Sequence, residues 1–456
     1  MINKIVEDQS IFFAGQKTKD VNFRKQALQK LKKEILKFED VICDALYEDF
    51  KKPKFESLAT ETQFVLSELQ YVLNNIAIWS KPQRTSSNLV NFPSTSHIYS
   101  EPYGTVLIIS PWNYPFLLSM SPLIGAIAAG NTAVVKPSEL TPNTSKVITK
   151  IIANTFPKEY VTVVEGGVAV SQELLKQKWN YIFFTGSSRV GKIVYKSAAE
   201  HLTPVTLELS GKNPCIVDSS AKVKLAAKRI VWGKFLNAGQ TCIASDYVLV
   251  HKKVKDKLIS ALQHNISKAF GKDIAHSKDF ARIATVEHYQ RLKEMLEGEN
   301  ILFGGDSNDE DRFIGPTLID SPSDKSKVME DEIFGPILPI ISYETERDIE
   351  KYISSYGKPL GLYIFSTNKT FQKKIINRYS FGGGVINDTV MQITNKSIPF
   401  GGVGNSGIGG YHGKYSFDLF SHKKSILKRG NWLDVPLRYP PYSIPINWVK
   451  KMKHLF

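Results

Sequence analysis

Three cysteines, Cys43, Cys215 and Cys242, occur in 456 residues. They are too few and too scattered for a disulfide framework. Cys242 closes the stretch Asn237-Ala238-Gly239-Gln240-Thr241-Cys242. A free cysteine is most often a small buried apolar residue. Here a glycine and polar side chains precede it, which implies a backbone that must approach something closely. A thiol that acts as a nucleophile needs a lowered pKa or a neighbouring base. Glu208, in Leu207-Glu208-Leu209-Ser210-Gly211-Lys212, stands at the end of an apolar strand, where a carboxylate is costly unless used or paired. A structural ion pair is the plainer role for it. A Cys–His hydrolase is the rival chemistry, yet none of the nine histidines stands in a recognisable hydrolase signature.

Other residues suit a nucleotide. The G-x-G-x-x-G fingerprint is absent. In its place Phe183-Phe184-Thr185-Gly186-Ser187-Ser188-Arg189-Val190-Gly191 makes a glycine turn that opens into a helix. Amides at a helix start can meet a phosphate, helped by the helix dipole, although glycine at such a turn is more often only a turn. Lys136-Pro137-Ser138-Glu139 ends another strand, the place where a ribose is bound in doubly wound folds. A solvated loop is an equal reading of those four residues alone.

The elements that must position these groups follow from the apolar pattern. Residues 20–50 carry Phe23, Leu28, Leu31, Ile35, Leu36, Val41 and Ile42 at helical spacing. The polar stretch Lys81–Ser96 reads as a connection. From Tyr103, β-rich runs at Val106–Ile109, Ala133–Val135, Val161–Val164, Tyr181–Phe184 and Val205–Leu209 alternate with helical segments at Pro115–Ala129, Pro142–Asn154, Ser171–Gln177 and Arg189–His201. This alternation predicts a parallel sheet covered on both faces. Thr141-Pro142 predicts a side-chain N-cap followed by proline at the first helical position. A second α/β segment follows, with a helix over Lys222–Leu236 and strands near Tyr247–Val250, Leu338–Ile341 and Leu362–Phe365. The glycine-rich stretch Phe400–Gly413 must be loop, and Ser416–Leu427 reads as a late strand that pairs outside its own domain.

Seven motifs together resemble the aldehyde dehydrogenase superfamily, most closely its class 3, fatty aldehyde dehydrogenase-like branch. They are Pro111-Trp112-Asn113-Tyr114-Pro115, Lys136-Pro137-Ser138-Glu139, Phe184-Thr185-Gly186-Ser187, Leu207-Glu208-Leu209-Ser210-Gly211-Lys212, Gly239-Gln240-Thr241-Cys242, Glu332-Ile333-Phe334-Gly335-Pro336 and Pro399-Phe400-Gly401-Gly402. Gly410–Phe417 and Arg438-Tyr439-Pro440-Pro441-Tyr442 are similar to the class 3 branch in particular, and the resemblance runs from about Phe12 to Tyr442.

What the resemblance implies is an α/β fold with a Rossmann-type cofactor domain (residues 1–80 and 103–207), a catalytic domain (208–395), bridging or oligomerisation segments (81–102 and 396–430) and a C-terminal tail (431–456). It implies NAD(P)-dependent oxidation of aldehydes to acids through a cysteine thiohemiacetal and a thioester. By the same resemblance Cys242 is the nucleophile, Glu208 the general base and Asn113 the oxyanion donor. Trp112, Lys136, Glu139, Gly186, Ser187, Glu332 and Phe334 are expected around NAD or NADP, Glu332 on the nicotinamide ribose, and no metal is expected. Tyr114 and Phe116 are expected in an apolar funnel for medium- or long-chain aliphatic or aromatic aldehydes. A CoA-acylating dehydrogenase is the nearest alternative, but thiolysis needs no base to activate water, so Glu208 favours hydrolysis. Ser210 stands where the family usually has glycine, and only a small effect on backbone freedom is expected from it.

Bulk properties are those of a folded globular protein. The net charge of +15 comes from lysines spread along the chain without a nucleic-acid-binding motif, so no nucleic-acid partner is expected. The start lacks a signal-peptide pattern and no run approaches the roughly 18 apolar residues of a membrane span. The expectation is a reduced, cytoplasmic protein that forms a homodimer. At the end, Trp448, Val449, Met452, Leu455 and Phe456 form one apolar stripe beside Lys450, Lys451 and Lys453. That tail is expected to pack near the substrate entrance, with at most weak membrane association.

Overall fold

A computed structural model describes residues 2–434, 436–451 and 453. In chain order the strands are β1 Gln83–Thr85, β2 Ser94–Pro102, β3 Thr105–Ile109, β4 Thr132–Lys136, β5 Val161–Val163, β6 Tyr181–Thr185, β7 Val205–Glu208, β8 Pro214–Val217 and β9 Tyr247–His251. They continue as β10 Ile301–Phe303, β11 Ser307–Asn308, β12 Phe313–Ile314, β13 Thr317–Asp320, β14 Ile337–Tyr343, β15 Gly361–Phe365, β16 Gly383–Ile386, β17 Gly407–Ile408 and β18 Ser421–Arg429.

Two large sheets result. The first has the order β17-β7-β6-β3-β4-β5, parallel except for β17. Its central strands are buried along their whole length, because helices cover both faces and leave no wet side to alternate toward. Strand order reverses between β3 and β6, so the loops after these two strands diverge and open a crevice at their carboxyl ends. Those loops carry Trp112, Asn113, Gly186 and Ser187. The second sheet, β10-β13-β14-β9-β8-β15-β16, holds its own apolar core. Glu208 ends β7, and the residues that follow it to β8, Ser210 and Lys212 among them, pass directly from one sheet to the other.

The helix Pro115–Ala129 is buried throughout. Its exposed-amide problem at the N-terminus is met by Glu61, whose carboxylate accepts from Phe116 N at 3.1 Å and Leu117 N at 2.8 Å and pairs with the buried Lys52 at 2.8 Å. Gly125 in this helix lets the helix Lys414–Leu419 pack closely; a Cβ there would lie 2.7 Å from Ser416 Cβ.

Several local expectations are corrected. Residues 20–50 form two helices, Val21–Lys37 and Glu39–Phe50, and Leu36 and Val41 are exposed rather than part of the apolar face. The helices Ile2–Ala14 and Gln63–Trp79 were not anticipated. The helix expected over Ser171–Gln177 runs over Val168–Leu175. Pro142 does begin its helix, but the Thr141 hydroxyl makes no cap. Asp49 caps instead, accepting from Asn143 N at 3.0 Å and Thr144 N at 2.9 Å, a partner that sequence proximity could not reveal. The late strand starts at Ser421, not Ser416. The preceding residues turn at Gly413 and coil as a helix, because their apolar side chains, such as Phe417, reach the core in that form. β18 pairs with β2 over nine residues in a three-stranded sheet, β1-β2-β18.

At the C-terminus the helix Ile446–Lys451 buries none of its residues, and Ile446, Trp448 and Val449 are exposed. The expected packing is therefore not made by these residues; Met452, Leu455 and Phe456 lie outside the described residues. Among the described residues no helix is long and apolar enough to cross a membrane.

Candidate active site

The loop that carries Cys242 is shaped by backbone contact. The turn Leu236–Gly239 follows the helix Val223–Phe235, and Asn237, Ala238 and Gly239 all adopt left-handed φ values. Gly239 passes so close to Gly335 that a Cβ would lie 2.3 Å from the Gly335 carbonyl oxygen. This is the close approach that the glycine before Cys242 implied, and only glycine allows it. Buried side chains hold the turn. Gln240 donates to Asn237 O at 3.0 Å and Arg282 O at 2.9 Å and accepts from Ala284 N at 2.9 Å. Asn213 Nδ2 donates to Cys242 O at 2.8 Å. Asn113 Nδ2 donates to Gln240 O at 3.1 Å, so the amide sits against the nucleophile loop with a second N–H to spare.

A cleft of about 810 Å³ gathers most of the chemistry-bearing residues. Trp112, Asn113, Gly186, Ser187, Glu208 and Cys242 line it, as do Glu332 and Phe334. Lys136 and Glu139 do not; Lys136 is the last residue of β4, Glu139 follows in the loop, and the two pair with each other through Nζ and Oε2. Tyr114 and Phe116 are corrected: both are buried in the core, and Tyr114 spends its hydroxyl on Thr241 at 2.7 Å. Ser187 is the N-cap of the helix Ser188–Ala199, accepting from Val190 N at 3.4 Å. Gly186 also has a steric reason, since a Cβ would meet the Phe184 ring at 2.6 Å.

Burial dominates the electrostatics of the cleft. Glu208 is buried, neither of its carboxylate oxygens has a hydrogen-bond partner among the described residues, and burial lifts its pKa well above the usual carboxylate range. Among the described residues it makes no structural ion pair. Burial, then the nearby Glu332 and Glu208 carboxylates, push the Cys242 thiol up to about 12. Burial and Asp246 raise Glu332 to about 8. A polar group left without partners in such a place is expensive, and proteins keep that cost where a ligand or a reaction uses the group.

Residues that sequence reasoning passed over hold the segment bearing Glu332 and Phe334. Lys212 Nζ donates to Asp246 at 2.5 Å, Val328 O at 2.8 Å and Asp331 O at 2.9 Å. Asp246 also accepts from Ile333 N at 2.9 Å. From the other side Arg291 donates to Glu332 O at 3.0 Å and Ile333 O at 2.6 Å. His288 Nε2 donates to Phe334 O at 2.8 Å, with its pKa lowered to about 4 by burial and Arg291. These bonds fix a left-handed Phe334, whose ring stands edge-on to Trp112 at 5.4 Å. Lys212 belongs to the Glu208 motif, so its type was visible in sequence while its partners were not.

The residues present fit a dinucleotide: a helix N-terminus with Ser187 suits phosphate, Glu332 suits a ribose diol, and Trp112 and Phe334 flank a flat ring. A doubly wound α/β sheet whose switch point opens on such a cleft defines the dinucleotide-dependent dehydrogenase class. Known proteins make the class specific. The aldehyde dehydrogenase family model matches residues 2–426. A 4,4'-diaponeurosporen-aldehyde dehydrogenase of Staphylococcus aureus is 49% identical over 97% of this chain and 97% of that relative. Aldehyde dehydrogenase family 3 member A2 of Rattus norvegicus is 41% identical over 96% of this chain and 91% of its own length. The solved substrate-bound state of Staphylococcus aureus AldH superposes with a TM-score of 0.97 at 48% identity, covering 99% of each chain. The chain belongs to the aldehyde dehydrogenase family and is an NAD(P)-dependent oxidoreductase acting on aldehydes, with class 3 enzymes among its relatives.

Proposed function

We propose that this chain oxidises apolar aldehydes, medium- to long-chain aliphatic or aromatic, to carboxylic acids by covalent catalysis at Cys242 and hydrolysis assisted by Glu208. The observation that carries the reading is the buried Glu208 carboxylate, without a hydrogen-bond partner among the described residues and lining the same cleft as Cys242. Cys242 Sγ bonds to the carbonyl carbon as its proton leaves for a basic group or water in the cleft. The oxyanion is met by Asn113 Nδ2 and the Cys242 N–H. NAD(P), when bound, would supply the hydride acceptor; loss of the former aldehyde hydrogen as hydride, with the carbonyl re-forming, leaves the acyl group on Sγ as a thioester. Glu208 then takes a proton from a water whose oxygen attacks the thioester, the C–S bond breaks, and the acid departs. Trp112, Leu118, Leu209 and Phe334 give the cleft its apolar surface. The 49%-identical relative named for 4,4'-diaponeurosporen-aldehyde also favours an apolar substrate.

Hydrolysis rather than CoA acylation is supported by the same carboxylate, for which thiolysis has no use. The test is to supply hexanal, a long-chain aldehyde and benzaldehyde with NAD or NADP, without CoA. Stoichiometric acid and reduced cofactor are expected, with no acceleration on adding CoA. Turnover that requires CoA and yields an acyl-CoA rejects the reading.

Cofactor choice is assigned to Glu139. Its carboxylate would repel a 2′-phosphate, although its ion pair with Lys136 offsets part of the charge. Glu139→Gln is expected to raise the ratio of kcat/KM for NADP to that for NAD. An unchanged or lower ratio would remove Glu139 from the adenosine end of the site.

A further inference from the structure

Ser210, the position at which this chain departs from the family pattern, has a defined partner. It is half-buried beside the cleft, and its Oγ contacts two acceptors: Glu332 Oε1, much the closer, and Cys242 O at 3.4 Å. A hydroxyl has one proton to give. Cys242 O accepts from Asn213 at 2.8 Å, and the nearer carboxylate oxygen is the stronger acceptor, so the Ser210 proton belongs to Glu332. The backbone of the Glu332 segment is fixed by Lys212, Asp246 and Arg291. Its side chain is not: the Ser210 hydroxyl is the hydrogen-bond donor it has among the described residues, and that bond occupies Oε1 and leaves Oε2. With glycine at 210, the flexible torsions of the glutamate would be held by nothing of this kind, and ordering them would fall on the incoming ligand.

We propose that Ser210 is a positioning residue for cofactor capture, its hydroxyl holding the Glu332 carboxylate so that the remaining oxygen is ready to accept from the ribose hydroxyls next to the nicotinamide. The inference rests on the reading of Glu332 as the ribose ligand. It assigns the serine a role beyond backbone freedom and makes the pair Ser210–Glu332, rather than Glu332 alone, the unit that grips this end of the cofactor.

Calorimetric titration with NAD and with NADP tests it on four full-length variants: Ser210→Ala, Ser210→Thr, Glu332→Gln and the double variant Ser210→Ala/Glu332→Gln. Ser210→Ala should raise the dissociation constant about three- to tenfold, on the order of one lost hydrogen bond. Ser210→Thr keeps the hydroxyl and should bind within about twofold of the unaltered enzyme. The double variant should bind no more weakly than the weaker single one, because both changes break one unit. A general loosening of the fold would give neither rescue by threonine nor this coupling. If Glu332→Gln weakens binding while Ser210→Ala does not, or if the two effects simply add, the positioning role is overturned and the ribose reading stands. If Glu332→Gln also leaves binding unchanged, the ribose reading fails and the proposal falls with it.

Discussion

Glu208→Gln is expected to release one equivalent of NAD(P)H per active site and then turn over about 10²–10⁴-fold more slowly, the usual contribution of a general base. Cys242→Ala should show neither phase, since no acyl group can form without the thiol. The amide matches the carboxylate in shape, and among the described residues the Glu208 side chain makes no hydrogen bond that the change would break. The loss is therefore chemical and not structural. pH supplies a second check. Burial raises the pKa of Glu208, and only the ionised form can accept a proton from water. Steady-state turnover should rise with pH as Glu208 ionises, and Glu208→Gln should lose that limb. The burst rate should keep its own rise with pH, because the Cys242 thiol is also held protonated. Full steady-state turnover in Glu208→Gln would reject the assigned base.

Lys212→Met should cost about 3–5 kcal/mol of stability, the range for breaking a buried ion pair by removing one partner. Both side chains of the Lys212–Asp246 pair are almost wholly buried, and Lys212 Nζ also satisfies Val328 O and Asp331 O. Methionine fills a similar volume but leaves Asp246 without its ion-pair partner and two carbonyls without their donor. Adding Asp246→Asn should recover much of the loss, since the amide oxygen can still accept from Ile333 N while the buried charge is gone. Urea and thermal unfolding measure this, with rates compared where unfolding proves irreversible. A weaker grip on NAD(P) should accompany the loss, because the same lysine holds the segment that carries Glu332. Stability within about 1 kcal/mol of the unaltered protein would show that the clamp is not needed.

Parts of this architecture are legible from sequence for clear physical reasons. A strand buried on both faces must be a near-continuous apolar run, as Tyr181–Phe184 is. Pro142 starts its helix because its ring is pre-set for that conformation. Gly239 before Cys242 signals a close backbone approach, and the approach to Gly335 is there. Elements whose pattern was mixed fared worse. The helix Lys414–Leu419 contains β-like residues whose pattern runs on into the following strand, and contact with the helix Pro115–Ala129 overrides their local preference.

By itself the sequence determined the family, the alternation of strands and helices, and the types of residue able to attack a carbonyl and to activate water. Tertiary structure alone decided which of them share one cleft and who holds them in it. It separated Tyr114 and Phe116, core residues, from Trp112 and Phe334, which line the cleft. It joined Ser210 to Glu332 across 122 positions and Asp49 to Thr144 across 95. Periodicity reports what a segment does with its own neighbours, whereas a hydrogen-bond partner is chosen by where the packed sheets bring distant strand ends together.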